Sequence, residues 1–211
     1  DRTSPDYNFK FPIPFLKLWL YPKCAGFIAQ TTRAANHKKK QFGDRLSIKV
    51  IPNALKEMSI TVEKRENILL YVGRFSWEKA PQLLIEAFAQ LQKNNWKLVM
   101  AGSGPLLQEM KILAKKLGIE NQVDFLGDVQ NVDALYAKAS IYVLPSVIEG
   151  FPNSLCEAMA AGLPSICFDT IPHEDIFVDL NMGVVCKEAC SQSLSIVIDE
   201  LIRDEAYRLK I

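Results

Sequence analysis

Ile68-Leu69-Leu70-Tyr71-Val72, then Gly73-Arg74-Phe75-Ser76-Trp77-Glu78-Lys79, then Leu83, Leu84, Ala87, Phe88 and Leu91: this stretch decides the fold. Five apolar residues without a polar interruption read as a strand covered on both faces. The spacing of the five that follow marks one face of a helix. The unit repeats. Lys97–Ala101 precedes a helix over 106–117 closed by Gly118, and a strand at 123–126 precedes a helix over 132–138. Ile141–Leu144 precedes a helix opened by Asn153, and Ser165–Phe168 a helical segment near 174–179. A strand at 184–185 precedes a last helix over 193–203. Alternating strands and helices predict an α/β domain: a Rossmann-like, doubly wound parallel sheet.

Working outward, the pattern changes near residue 65. Residues 25–29 and Ile48–Val50 read as strands flanking a basic helix over 33–42, too little to bury a core of their own. Residues 1–64 are therefore expected to be the end of a preceding domain plus a linker from Pro52 to Glu66, and 65–211 the Rossmann-like domain. Within the first part, Asn36-His37-Lys38-Lys39-Lys40 could meet anionic lipid or nucleic acid, but so short a run reads first as a solvated helix face. Phe11, Phe15, Trp19 and Tyr21 could form an acceptor or membrane surface, or a face that packs on residues outside this chain.

Composition excludes several classes. With 25 Lys+Arg against 24 Asp+Glu, the chain carries no basic field, and nucleic acid is not an expected partner. No apolar run approaches the ~18 residues of a spanning helix. Five cysteines, an odd number without paired spacing, fit a reducing cytoplasm, and Cys186 and Cys190 have no second pair with which to hold a metal. A soluble, cytoplasmic, metal-free protein is expected.

In an open parallel sheet, ligands bind beyond the carboxyl ends of the strands. Four such ends carry suggestive residues: Gly73 to Lys79, Gly102-Ser103-Gly104-Pro105, Gly127-Asp128-Val129, and Pro145 to Asn153. Arg74 and Lys79 put two cations beside the first helix, which suits a diphosphate, although surface cations would look the same. Gly102 and Gly104 permit close backbone approach, with Pro105 at the first helical position, although tight strand–helix turns also use glycine. In Ile148-Glu149-Gly150-Phe151-Pro152-Asn153-Ser154-Leu155-Cys156-Glu157, Asn153 reads as an N-cap. Glu157 then falls ~6 Å along the axis from the helix start. A helix N-terminus for an anion and a carboxylate on each side for hydroxyls describe a nucleotide sugar. Glutamate also favours first turns without any ligand.

Taken together, Val50-Ile51-Pro52-Asn53, Tyr71-Val72-Gly73-Arg74 with Glu78-Lys79, Ala101 to Pro105, Phe125-Leu126-Gly127 and Pro145 to Gly162 resemble, in order, the second half of the retaining GT-B glycosyltransferases of family 4, also called group 1. The resemblance implies that Arg74 and Lys79 hold the donor diphosphate, with Gly102 and Gly104 in the donor site, and that Glu157 accepts from the ribose. It implies that Glu149 contacts the transferred sugar, that amides of Gly150, Phe151, Asn153 and Ser154 face sugar and phosphates, and that Val129 meets the base. No cofactor or metal is implied. The donor is a nucleotide-diphosphate sugar, and the acceptor, saccharide or lipid-linked, would be held by the first domain, with peripheral membrane contact left to the longer protein. Surface polysaccharide synthesis is the expected setting.

Two departures stand out. Asp169-Thr170-Ile171-Pro172-His173-Glu174 replaces a Gly-Gly turn, and neither His37 nor His173 matches the first-domain histidine of the family, so no catalytic base is assigned. The chain alone is expected to lack transferase activity. Two other classes stay open: a nucleotide-sugar-binding module without chemistry, and an NAD-dependent oxidoreductase. Gly-Arg-Phe after the first strand, and Leu107 where a third glycine would stand, argue against the latter.

Overall fold

The computed structural model describes residues 11–58, 60, 64–91, 95–179 and 182–211. The first elements are helix α1 (Ile13–Leu20), strand β1 (Phe27–Ala29), helix α2 (Thr32–Phe42) and strand β2 (Ile48–Val50). Then come β3 (Ile68–Val72), α3 (Pro81–Leu91), β4 (Lys97–Ala101), α4 (Leu107–Lys116), β5 (Val123–Gly127), α5 (Asp133–Lys138), β6 (Ile141–Leu144) and α6 (Asn153–Ala160). The chain continues through β7 (Ser165–Phe168), β8 (Val184–Cys186), α7 (Ser191–Arg203) and α8 (Glu205–Arg208).

Six strands form one parallel sheet in the order β5-β4-β3-β6-β7-β8. Alternation of side chains along each strand divides its core in two. Leu69, Tyr71, Leu98, Met100, Ile141 and Val143 face α3, α4 and α7, while Leu70, Val99, Tyr142 and Leu144 face α5 and α6. All four residues of β6 are buried, as expected where helices cover both faces of a central strand.

Local differences from the sequence reading have identifiable causes. Residues 174–179 do not form a helix: a single 3-10 turn, His173–Asp175, takes their place. The side chains of Glu174 and Asp175 are engaged by Arg33 and by the backbone amide of Thr32 on α2, at 2.6 and 2.7 Å. Pro105 is not the first residue of α4, because Leu106 N–H donates to Phe75 O and Leu107 N–H to Gly104 O before the helix begins. Asn153 opens α6 but does not cap it; its side-chain oxygen accepts from Asn53 Nδ2 at 2.9 Å.

β1 and β2 form a separate two-stranded parallel sheet beside α2. Part of the expected linker, residues 59 and 61–63, lies outside the described residues. α1 buries none of its residues, and Phe15 and Trp19 are exposed, whereas Tyr21 packs on Phe27 and Phe42 at ring-centroid distances of 5.4 and 5.6 Å. Among the described residues, no helix is long and apolar enough to cross a membrane.

Candidate functional site

The strand order reverses direction between β3 and β6: from β3 the chain winds outward through β4 to β5, and from β6 outward through β7 to β8. The loops leaving these two neighbours diverge and open a crevice beyond their carboxyl ends. The sequence-predicted residues lie on the segments that follow β3, β4, β5 and β6.

The β3 rim is laced by main-chain hydrogen bonds. Gly73 N–H donates to Ala101 O at 3.0 Å, Phe75 N–H to Ser103 O at 2.9 Å, Leu106 N–H to Phe75 O at 3.0 Å and Gly102 N–H to Gly127 O at 2.7 Å. Gly102 has φ +132° and Gly104 φ +154°. A Cβ at Gly102 would stand 2.0 Å from Gly73 O, and one at Gly104 2.4 Å from Phe75 O. The space these glycines provide is thus filled by the protein's own β3 loop, the structural use of a tight turn. Gly73, Arg74, Gly102, Ser103 and Val129 line one cavity of about 350 Å³. Gly104 does not line it. Arg74 is exposed, and Ser103 Oγ donates to Asp128 Oδ1 at 2.8 Å.

On the other rim, the loop after β6 docks onto the 3-10 turn Trp77–Lys79, where Val147 N–H donates to Glu78 O at 2.9 Å. That docking brings Lys79 to Glu149, and Lys79 Nζ donates to Glu149 Oε1. The Glu149 side chain is 7% exposed and that of Lys79 22%, so the pair is largely buried with the lysine nearer to solvent. Such a carboxylate needs its counter-charge, because burial makes an unpaired charge costly. Gly150 and Phe151 continue the loop, half-buried, into α6.

Ser154 and Glu157 stand one turn apart on α6, both half-buried. Beneath them lie two tyrosines that the sequence reading did not single out. Tyr136 Oη donates to Glu157 Oε2 at 3.0 Å, and Tyr142 Oη to Ser154 Oγ at 2.8 Å. Burial, the other phenol and Glu157 push the Tyr136 hydroxyl far above the usual tyrosine range, so it remains a donor. Their sequence signal is weak, since apolar spacing treats tyrosine as core; only the rule that a buried phenol finds a partner hints at more. No side chain caps α6.

Burial and the neighbouring Glu157 raise the Cys156 thiol to about 11, which keeps it protonated at neutral pH. Among the described residues, no three His, Cys, Asp or Glu side chains gather as metal ligands. Neither His37 nor His173 lines the cavity beside Arg74 and Val129. His37 lines a second cavity of about 370 Å³ with Arg33, Lys40, Glu174 and Asp175, and His173 Nε2 approaches Asp169 Oδ1 at 3.5 Å.

Residues 55–211 match the family described as glycosyl transferases group 1. Over 99 residues the chain is 46% identical to a Campylobacter jejuni alpha-1,4-N-acetyl-D-galactosaminyltransferase acting on a GalNAc-containing diNAcBac-PP-undecaprenol, covering 46% of this chain and 27% of that one. Over 153 residues it is 33% identical to an uncharacterized glycosyltransferase of Methanocaldococcus jannaschii, covering 71% and 39%. A variant of TarM from S. aureus, solved with fondaparinux, alpha-GlcNAc-glycerol and UDP, superposes with a TM-score of 0.88 at 20% identity, over 99% of this chain and 44% of that one. The chain spans less than half the length of each, and its fold is that of the C-terminal, Rossmann-like half of a GT-B glycosyltransferase.

Proposed function

The chain belongs to the group 1 glycosyltransferases, and from that premise we propose that it is the donor-binding half of a retaining family 4 enzyme. The longer protein would move a sugar from a nucleotide-diphosphate sugar to a saccharide or lipid-linked acceptor, in surface polysaccharide synthesis. The Campylobacter relative, whose acceptor is a saccharide on undecaprenyl diphosphate, supports that acceptor class. Residues 1–64 are read as the end of the acceptor-side domain with its linker, and 65–211 as the donor domain, working on the cytoplasmic side.

The observation that supports the reading is the placement of Arg74, Lys79, Glu149 and Glu157 on the segments that follow the carboxyl ends of the neighbouring strands β3 and β6. In this reading Arg74 and Lys79 take the diphosphate through charge-assisted hydrogen bonds. Glu149, released from part of its contact with Lys79, accepts from the hydroxyls of the transferred sugar, and Glu157 from the ribose. Val129 sits beside the base in the cavity it lines. Amides of Gly150, Phe151, Asn153 and Ser154 turn toward sugar and phosphates, with the positive end of α6 behind them. The cations do what a divalent ion does for diphosphates elsewhere, so donor binding needs no metal. Gly102 lines the donor cavity beside Arg74, and Gly102 and Gly104 also let the β3 and β4 loops pack together. Retention at the anomeric carbon places the leaving phosphate beside the reacting centre, and the acceptor wall belongs to the first domain.

Calorimetry tests the reading: UDP, GDP and ADP are titrated into the chain with and without EDTA, with NAD as control. UDP comes first because the TarM structure contains it. We expect at least one nucleoside diphosphate to bind below millimolar concentration, unchanged by EDTA, and NAD not to bind. No heat from any nucleoside diphosphate would refute the donor site, and affinity that required magnesium or manganese would refute the electrostatic account.

A further inference from the structure

Tyr136 reaches Glu157 from α5, and nothing about Glu157 itself requires that contact. The phenol ring is fully buried, its centroid 6.0 Å from that of the equally buried Tyr142, and its hydroxyl lies 3.0 Å from Glu157 Oε2 and 3.3 Å from Ser154 O. A carboxylate accepts and cannot donate, so the phenolic proton points to Glu157. The ring cannot swing away without opening the core it shares with Leu155 and Ala158 of α6. Glutamate has three rotatable bonds, and ordering it on ligand binding costs entropy that a partner can remove beforehand.

We propose that Tyr136 is the positioning residue of the ribose contact: its hydroxyl fixes one oxygen of Glu157 and leaves the other to accept from the sugar ring of a nucleoside diphosphate. The inference rests on the reading of Glu157 as that contact. Tyr142 does the same for Ser154, one turn earlier on the helix. The two phenols thus turn a short, uncapped helix into a rigid presenting surface.

The experiment compares UDP, 2′,3′-dideoxy-UDP and inorganic pyrophosphate on the parent chain, Tyr136→Phe and Glu157→Ala. The ratio between the first two ligands reads the ribose contact, and pyrophosphate reads the phosphate side. The parent is expected to prefer UDP over the dideoxy compound by about tenfold or more. Tyr136→Phe should cut that preference to about threefold or less while leaving pyrophosphate within about twofold. Glu157→Ala should abolish it. If Glu157→Ala keeps the preference, the ribose reading fails and the inference with it. If Glu157→Ala abolishes it and Tyr136→Phe keeps it, the ribose reading stands and Tyr136 has no positioning role. A purely structural tyrosine would weaken all three ligands alike, which also overturns the proposal. Should Tyr136→Phe not fold, the chain labelled at tyrosine Cζ answers instead. One of the six tyrosine signals should respond to Glu157→Gln and to UDP but not to pyrophosphate, and the absence of such a signal would contradict the inference.

Discussion

On the β3 side of the crevice the loops are held by main-chain hydrogen bonds, and two glycines admit the neighbouring backbone where any Cβ would collide. On the β6 side, beyond the main-chain bonds of Val147 and Ile148 to Glu78, side chains do the holding: Lys79 on Glu149, Tyr136 on Glu157, Tyr142 on Ser154. The first rim should keep its shape whichever side chains it carries and be intolerant of any Cβ at Gly102 and Gly104. The second should tolerate small changes of shape and respond to the loss of single polar atoms. One is held by main chain, the other by single polar side-chain contacts.

The largest effect expected from this contrast is Gly102→Ala, which combines a left-handed φ with a Cβ 2.0 Å from Gly73 O. Overpacking against backbone plus conformational strain should cost about 3–5 kcal/mol, roughly 10 °C in melting temperature. Gly118→Ala, also at positive φ but with nothing within 4 Å, should cost only about 1 kcal/mol. Equal losses in thermal melts would break the distinction.

Next comes Lys79→Ala. It removes a charge from the diphosphate side and leaves Glu149 without its counter-ion, so affinity for UDP and for pyrophosphate should fall together by about 1.5–3 kcal/mol, one to two decades. Calorimetry that found pyrophosphate binding intact would move Lys79 off the phosphates.

The smallest is Glu157→Ala, about one decade on UDP and none on pyrophosphate. Equal loss of both ligands would take Glu157 away from the ribose and erase the division of labour within the second rim.

What the sequence made legible follows the range of the forces involved. The run Ile68–Val72 and its successors identify the doubly wound sheet because burial on both faces shows directly as unbroken apolar runs. Lys79, Glu149 and Glu157 stand out as candidates because loop ends and helix starts are local features. The misreadings all have distant partners. Asn153 looks like a cap, but Asn53, a hundred residues earlier, takes its side chain. Residues 174–179 carry helical spacing, yet α2 holds Glu174 and Asp175. Gly102 and Gly104 read as sites of close backbone approach, and only the packed loops show that the backbone approaching them includes that of Gly73 and Phe75. Tyr136 and Tyr142 stayed hidden because an apolar pattern records where a ring is buried, not what its hydroxyl meets.

The central claim is that a nucleoside diphosphate occupies the crevice between β3 and β6, phosphates toward Lys79 and ribose toward α6. Amide NMR of the labelled chain during UDP titration tests it most directly. The account predicts the largest shifts at Gly73, Arg74, Lys79, Ser103, Ser154 and Glu157, with pyrophosphate reproducing those at Arg74 and Lys79 but not at Glu157. Shifts centred instead on Arg33, His37 and Glu174, around the cavity beside α2, would contradict it.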